Sequence, residues 1–564
     1  MDDMNGLLGT FEAFLRVLML WPFLQGVMAG FFILHCFSFH SQEKEIRAAV
    51  CGFFGLAGSL AALSWFGLAF LSHGDVDASP LLWWGAGAGL GLVSALFADR
   101  AFAGVFNSMV HTFTRRTSLE RNRKTDVREI HRFLPSAGDP YDPTRYFSVE
   151  KGFFMGLDET GKPVYWQGRL PHIQVAGTTG SGKGVFLGMI GPQCLLHGEA
   201  VFYIDPKDDE WGPHVLHAAA KRAGVPYHFV DLRPGAGPQI NLFDGCDAEQ
   251  IEELLLAGFE LGDKGGDSDH YRLADRRAAG HVAREAKNGD TPASLYRGMG
   301  EFLEKTAPGF AGKLREMADI AAVNARHGIN LQKVIREGGA VYVVGSMRHA
   351  KVVRLQRMLL VRLIQMAEGR DRMREKPRPI CVVLDELKYH ISRPALEALG
   401  AARDKGLHVV MAHQALGDLR DCPADLNPDA VTSAVMENGK LKLIYRVEDP
   451  DTAEWLARKS GSIQVDDESR KVARSIALVE KVEGERTIKQ SERYYIDENM
   501  ILNLPNQCGV LFGQGLPKFT HTSPYQAAKD GAALRTVTER GHDDPDGGGH
   551  SPGGLAPVDF TVLD

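Results

Sequence analysis

At 564 residues the chain exceeds what one hydrophobic core supports, so two or three soluble units are expected beside any membrane part. Its 44% hydrophobic and 24% charged residues are ordinary for a globular protein, and the net charge of -7 excludes a uniformly basic nucleic-acid coat while leaving room for local basic channels. Seven cysteines (Cys36, Cys51, Cys194, Cys246, Cys381, Cys422, Cys508) show no CxxC spacing, which fits neither a zinc site nor a disulfide framework and suits a reducing cytoplasm.

The first hundred residues hold three runs free of Asp, Glu, Lys and Arg: Val17–His40, Ala48–Ser72 and Ala78–Ala98. Each matches the roughly 20 helical residues needed to cross a hydrocarbon core. Small residues crowd the second and third runs (Gly55, Ala57, Gly58, Ser59; Gly85, Gly87, Gly89, Gly91), as close packing of helices in lipid requires. Lys and Arg gather after the third run (Arg100, Arg115, Arg116, Arg121, Arg123, Lys124, Arg128, Arg132). The positive-inside rule then puts the large C-terminal part in the cytoplasm. The predicted organisation is a three-span anchor over 1–114 and a basic juxtamembrane linker over 115–146, which suits the membrane surface and anionic lipid.

From residue 147 short apolar runs alternate with amphipathic stretches, predicting an α/β fold with a mostly parallel sheet. Strands are expected at His172–Ala176, Ala200–Ile204, Tyr227–Val230, Ala340–Val344, Ile380–Leu384, His408–Ala412, Leu441–Tyr445 and Gly509–Phe512. Residues 249–330 show helical periodicity without a strand, so an all-α insertion is expected inside a nucleotide-binding domain formed by 147–248 and 331–525. The remainder, 526–564, is Gly-, Pro- and Asp-rich and is expected to be disordered, with a candidate docking peptide at Val558–Leu563.

Four motifs carry chemistry. In HIQVAGTTGSGKG a strand ends at Ala176 and the chain turns through Gly177, Thr178, Thr179, Gly180, Ser181 and Gly182 before a helix starts near Lys183. Backbone N–H groups and a helix N-terminus converge on polyphosphate in such a turn, and the lysine reaches the β/γ-phosphates. Gly184 stands where the motif usually carries Ser or Thr as a magnesium ligand, so the metal must rely on water, another carboxylate or the phosphates. PICVVLDEL delivers Asp385 to the Mg2+ shell and Glu386 to the attacking water. AVFYIDPKDDE ends a strand at Asp205, either a polar turn or a second metal-side carboxylate replacing the missing hydroxyl. In GAARDKGLHVVMAHQALGDL, Gln414 is positioned to sense the γ-phosphate, and Arg403 to serve a neighbouring subunit as an arginine finger. Structural hydrogen bonding for Gln414 and a solvated ion pair for Arg403 are the plain alternatives.

These features, together with SERYYIDENMILNLPNQCGVLFGQGLPKF late in the chain, resemble the TraG/TraD family of coupling proteins of type IV secretion and conjugation systems, within the HerA–FtsK superfamily of P-loop ATPases. The resemblance covers roughly 150–520. It implies a RecA-like fold, a homohexameric ring at the bacterial inner membrane, ATP with Mg2+, and delivery of relaxase-bound DNA or protein substrates to a secretion channel, with a relaxosome or adaptor contact at the tail. Lys-Gly endings occur in part of this family, and Arg403 matches its proposed arginine finger. Candidate DNA contacts on the insertion are Arg272, Arg276, Arg277, Arg284, Lys287, Lys313 and Arg315, sequence-independent and salt-sensitive, with a solvated helix face paired to local Glu and Asp as the plain alternative. An FtsK-like DNA translocase, an assembly ATPase of a secretion machine and a membrane receptor that binds ATP without hydrolysis are the alternatives.

Overall fold

The computed structural model describes residues 22–40, 45–73, 79–113, 120–121, 130–136, 138–262, 268–371, 376–474, 480–513 and 515–536. In chain order its strands are β1 (Glu120–Arg121), β2 (Phe153–Leu157), β3 (Pro163–Trp166), β4 (Ile173–Ala176), β5 (Ala200–Asp205), β6 (Tyr227–Asp231), β7 (Ala340–Val344), β8 (Ile380–Leu384), β9 (Leu407–His413), β10 (Leu441–Ile444), β11 (Ser462–Arg474), β12 (Glu480–Tyr494), β13 (Cys508–Phe512) and β14 (Lys518–His521). Two compact units divide the chain. One takes the residues up to Arg123 and Ile463–Arg493; the other takes Lys124–Ser462 and the residues from Tyr494 on.

In the first unit, the helices Pro22–His40 and Ser79–Phe113 pack backbone to backbone. A Cβ at Gly26 or Gly87 would meet a carbonyl oxygen of the opposite helix at 2.1 Å, as would one at Gly30, and one at Gly91 would at 2.2 Å. Both helices thus carry small-xxx-small faces, whereas Gly85 and Gly89 look into open space. Among the described residues, two helical segments are long and apolar enough to cross a membrane, Pro22–His40 and Ser79–Ala98. The remaining expected span, Ala48–Ser72, falls on the helix Glu45–His73, whose side chains beyond Leu60 lie outside the described residues, as do residues 17–21. Much of the basic stretch (Arg115, Arg116, Arg123, Lys124, Arg128) also lies outside them. A three-stranded sheet, β1-β11-β12, completes this unit. Sequence reading found no strand there because SIQVDDESRKVAR and EKVEGERTIKQSERY are rich in charged residues and contain no continuous apolar run.

The second unit is built on an 11-stranded sheet of order β3-β2-β14-β13-β10-β4-β9-β8-β5-β7-β6. From β10 to β6 all neighbours run parallel. β5, β7, β8 and β9 are buried along their whole length, which is why they read as unbroken Val- and Ile-rich runs. β13, β14, β2 and β3 extend the sheet antiparallel. Of these, β2, β3 and β14 are absent from the sequence reading; β2 and β3 are short, interrupted by Gly156 and opened by Pro163, with a bulge between Phe154 and Gly156.

The segment 249–330 is helical, with Ala248–Phe259, Ser268–Glu285, Pro292–Thr306 and Pro308–Ala318. Its apolar residues do not form a core apart. Leu254, Leu255, Leu303 and Phe310 join Phe202, Val230 and Val382 of the sheet in one continuous cluster. At the other end, residues 526–536, assigned to the disordered tail by composition, reach the sheet edge. Thr536 bridges to Phe229, Ala533 is buried, and its carbonyl accepts from the Tyr227 hydroxyl at 2.9 Å. A short 3-10 turn with one small apolar anchor carries too little periodicity to be recognised in a sequence. Residues 537–564, including Val558–Leu563, lie outside the described residues.

Candidate nucleotide site

β4 ends buried at Ala176, and the chain turns through Gly177, Gly180 and Gly182 with φ of 153°, 78° and 131°. Gly177 and Gly182 also lack room for a side chain, since a Cβ on either would come within 2.7 Å of Tyr445. The loop is pinned from three sides. Thr178 N–H donates to the Arg446 carbonyl at 2.7 Å, the Ser181 hydroxyl donates to the Thr178 carbonyl at 2.7 Å, and the Ser181 carbonyl accepts from Gln507 N–H at 2.7 Å. Thr179 and Gly180 form its exposed tip.

Lys183 opens the helix Lys183–Leu196 and is buried, its ammonium donating to the carbonyls of Gly177 at 2.5 Å and Thr178 at 3.1 Å. Burial lowers its pKa, nearby Lys207 adds to this, and Glu386 and Asp385 oppose it, so the phosphate-loop lysine and the strand-end carboxylates share one electrostatic site. Gly184 is exposed, and a Cβ there would meet nothing within 4 Å.

The strand order places this loop. β9 lies between β4 and β8, with Ala176 opposite His413 and Leu384 opposite Met411. The residues that follow the three strands therefore meet at one carboxyl edge: the glycine loop after β4, Asp385 and Glu386 after β8, and Gln414 after β9. Glu386 takes a left-handed conformation at φ 58°, unusual for a residue with a side chain and worth about 1 kcal/mol or more of strain. Gln414 Nε2 donates to Glu386 Oε1 at 3.2 Å, so the glutamine expected to sense phosphate is joined to the carboxylate expected to act on water.

Lys207 stands between the two carboxylates, 2.6 Å from Glu386 Oε1 and 3.3 Å from Asp385 Oδ1. Burial alone would lower its pKa, but the carboxylates outweigh that and hold it above the usual lysine value. Burial pushes both acids up. It prevails at Asp385, whereas at Glu386 the hydrogen bond and charge of Lys207, with Gln414, bring the net shift below the ordinary value. An ammonium balanced between two carboxylate oxygens occupies the kind of position that a divalent cation takes, so the residues present fit Mg2+ with oxygen ligands.

Asp205 also holds the loop after β5 together. One of its oxygens accepts from Lys207 N–H at 2.8 Å; the other accepts from Asp209 N–H at 2.6 Å and the Tyr342 hydroxyl at 2.7 Å. Three hydrogen bonds to it fold the loop after β5, and burial raises its pKa. Because Ile204 pairs with Leu384, that loop faces Asp385, and Asp205 acts by presenting Lys207 to it.

Residues 379–506 match the family model described as the TraM recognition site of TraD and TraG. The chain is also 32% identical over 412 residues to mobilization protein A of Escherichia coli, covering 70% of this chain and 73% of that protein. This chain belongs to the TraG/TraD family of conjugation coupling proteins. The fold of this coupling protein is shared with the bacterial conjugative coupling protein TrwBdeltaN70 in its unbound form, at a TM-score of 0.50 and 16% identity over 70% of this chain and 93% of that one. Its nucleotide-binding unit is of the RecA-like P-loop class, linked to conjugation and type IV secretion.

Other expected residues of the coupling protein lie elsewhere. Arg403 caps the helix Arg393–Ala402 just before β9 begins, so it is at the amino edge of the sheet, opposite the phosphate loop. There it is exposed and lines a cavity of about 790 Å³ with Arg169, Glu199, Lys376, Lys405 and His408. It cannot serve the loop of its own chain. On the insertion, Arg277, Arg284, Lys287 and Arg315 are exposed, whereas Arg272 and Lys313 donate to the carbonyls of Gly262 (3.3 Å) and Phe259 (2.7 Å). Sequence reading gave no role to Lys207, Tyr445 or Gln507. The DPK ending of β5 was the available signal for Lys207; Tyr445 packs its side chain against the loop glycines and Gln507 donates its backbone N–H, contacts that no motif records.

Proposed function

We propose that this coupling protein binds ATP with Mg2+ at the loop Gly177–Gly184 and hydrolyses it to drive DNA, protein or both toward a type IV secretion channel. The Lys207 ammonium lodged between Asp385 and Glu386 carries this reading, since it marks a cation position beside a buried P-loop lysine. Lys183 and the loop N–H groups hold the phosphates, Asp385 holds the metal side, and Glu386 orients the water and takes its proton. Mg2+, when bound, supplies charge neutralisation at the phosphate oxygens. Gln414, joined to Glu386, reports the state of the site to the segment after β9.

The same reading assigns an inner-membrane anchor to the apolar N-terminal helices, a homohexameric ring in which Arg403 completes a neighbour's site, non-specific DNA contact by the exposed basic residues of the insertion, and an adaptor contact for the tail. A receptor that binds ATP without turnover is the second reading, favoured by the missing hydroxyl at Gly184.

Phosphate release by the full-length protein, with and without single-stranded DNA, tests the proposal. Glu386→Gln is expected to keep ATP binding and lower turnover at least about 100-fold. Lys183→Ala is expected to weaken ATP binding about 10- to 100-fold, the worth of a charge-assisted contact. Wild-type protein that binds ATP without releasing phosphate would favour the receptor, and full turnover by Glu386→Gln would remove the assigned base.

A further inference from the structure

The amino edge of the sheet holds a cluster that the nucleotide chemistry does not use. Cys194 lies in the last turn of the helix Lys183–Leu196, Glu199 in the turn that leads into β5, Cys381 second in β8 and His408 second in β9. Strand register brings them together: Cys381 is paired with His408 on one side and with Val201 on the other, and Glu199 N–H donates to the Cys194 carbonyl at 2.9 Å. One donor atom from each of the four lies within 4.8 Å of the others. All four residues are buried, both cysteines completely.

The pairing within the cluster is incomplete. Glu199 Oε2 and His408 Nε2 are 2.6 Å apart, a hydrogen bond that fixes the imidazole ring. It leaves His408 Nδ1 buried with no hydrogen-bond partner. A carboxylate on one ring nitrogen with the other nitrogen open is the arrangement by which metal-bound histidines are oriented. Two thiols beside it add soft ligands, and a thiolate–imidazole–carboxylate set suits Zn2+ among the divalent ions.

We propose that Cys194, Cys381 and His408, with Glu199 behind the imidazole, bind Zn2+ and leave its fourth position to a water from the adjoining cavity. Binding replaces the two thiol protons, which leave to solvent, with two sulfur–metal bonds, and no oxidation is involved. The site ties the helix that follows the phosphate loop to β8 and β9. Glu199 and His408 also line the cavity that holds Arg403, so the metal braces the wall on which that arginine stands.

The test is metal content of the full-length protein in detergent, loaded with zinc and passed through a desalting column, measured by mass spectrometry. About one zinc per chain is expected in the wild type and in a Cys246→Ser control, falling at least about tenfold in Cys194→Ser/Cys381→Ser. Should the double variant fail to fold, cobalt loading of the wild type decides: thiolate-to-cobalt charge-transfer absorption supports the site. Folded wild-type protein that keeps less than about a tenth of a metal per chain and shows no such absorption overturns it. So does a Cys194–Cys381 disulfide found in protein purified under reducing conditions.

Discussion

At the carboxyl edge of the sheet, β4, β8 and β9 each deliver chemistry in the residues that directly follow the strand: the loop Gly177–Gly182, the pair Asp385–Glu386, and Gln414. At the amino edge, Arg403 and the Cys194–Glu199–Cys381–His408 cluster come from a helix cap, a helix end, a turn and two strand beginnings. The carboxyl edge gathers its loop, acids and glutamine from one chain. The amino edge presents an exposed guanidinium that has no phosphate loop of its own to meet. Under the proposed function what differs is the dependence on assembly: one edge binds the nucleotide, and the other contributes to the reaction only through a second copy.

Mixing two inactive variants would break or sharpen that contrast most strongly. Arg403→Ala alone is expected to lower ATP turnover about 10³-fold, the range seen when an arginine finger is removed. Lys183→Ala keeps Arg403 but loses its own loop. Mixed oligomers then place an intact Arg403 beside an intact loop, and turnover should recover to a measurable fraction of wild type. No recovery in oligomers that demonstrably contain both chains would assign Arg403 to a structural role on the helix Arg393–Ala402.

The carboxyl edge was legible because P-loop chemistry needs contiguous residues. Glycines, a lysine and a helix start follow one strand, and two acids follow another, so spacing alone identifies them. The seven parallel strands were legible for the same reason, since strands buried on both faces appear as short apolar runs. What escaped depends on register. Cys194 and Cys381 are 187 positions apart in sequence, and their proximity follows only from β8 lying beside β5, so scattered cysteines gave no sign of a metal cluster. The surroundings of Asp205 escaped through the same gap. Its position at a strand end resembles that of Asp385, but Tyr342 from the adjacent β7 takes one of its oxygens. The antiparallel strands β2, β3 and β14 and the charged ribbon β11–β12 lack the continuous apolar pattern that betrays a parallel core.

Lys207 tests how the carboxyl edge stays folded without nucleotide. Asp385 and Glu386 are both buried, and removing the Lys207 ammonium leaves the two carboxylates with Lys183 as the remaining nearby positive charge. Lys207→Met is expected to destabilise the nucleotide-free protein by about 1 kcal/mol, less than the loss for a fully buried ion pair because the lysine is partly exposed. Mg2+ alone should restore more of the melting temperature in this variant than in wild type, because the ion takes the vacated position. Equal shifts with Mg2+ in both proteins would mean that the ammonium and the metal do not share a place.

The smallest expected effect concerns Gly184. Space around its Cβ position is open to 4 Å, so nothing in the packing explains why a hydroxyl is missing from the helix start. Gly184→Thr should therefore be accepted without strain, and the helix itself gains from replacing glycine by roughly 0.5 kcal/mol. If the hydroxyl reaches the metal, the Mg2+ concentration for half-maximal ATPase should fall a few-fold with little change in turnover at saturation. The other result is equally informative: an unchanged Mg2+ requirement in a folded variant would mean that Asp385 and the phosphates already satisfy the ion. The carboxyl edge would then be complete as it stands, and the dependence on a neighbour would rest wholly with the amino edge.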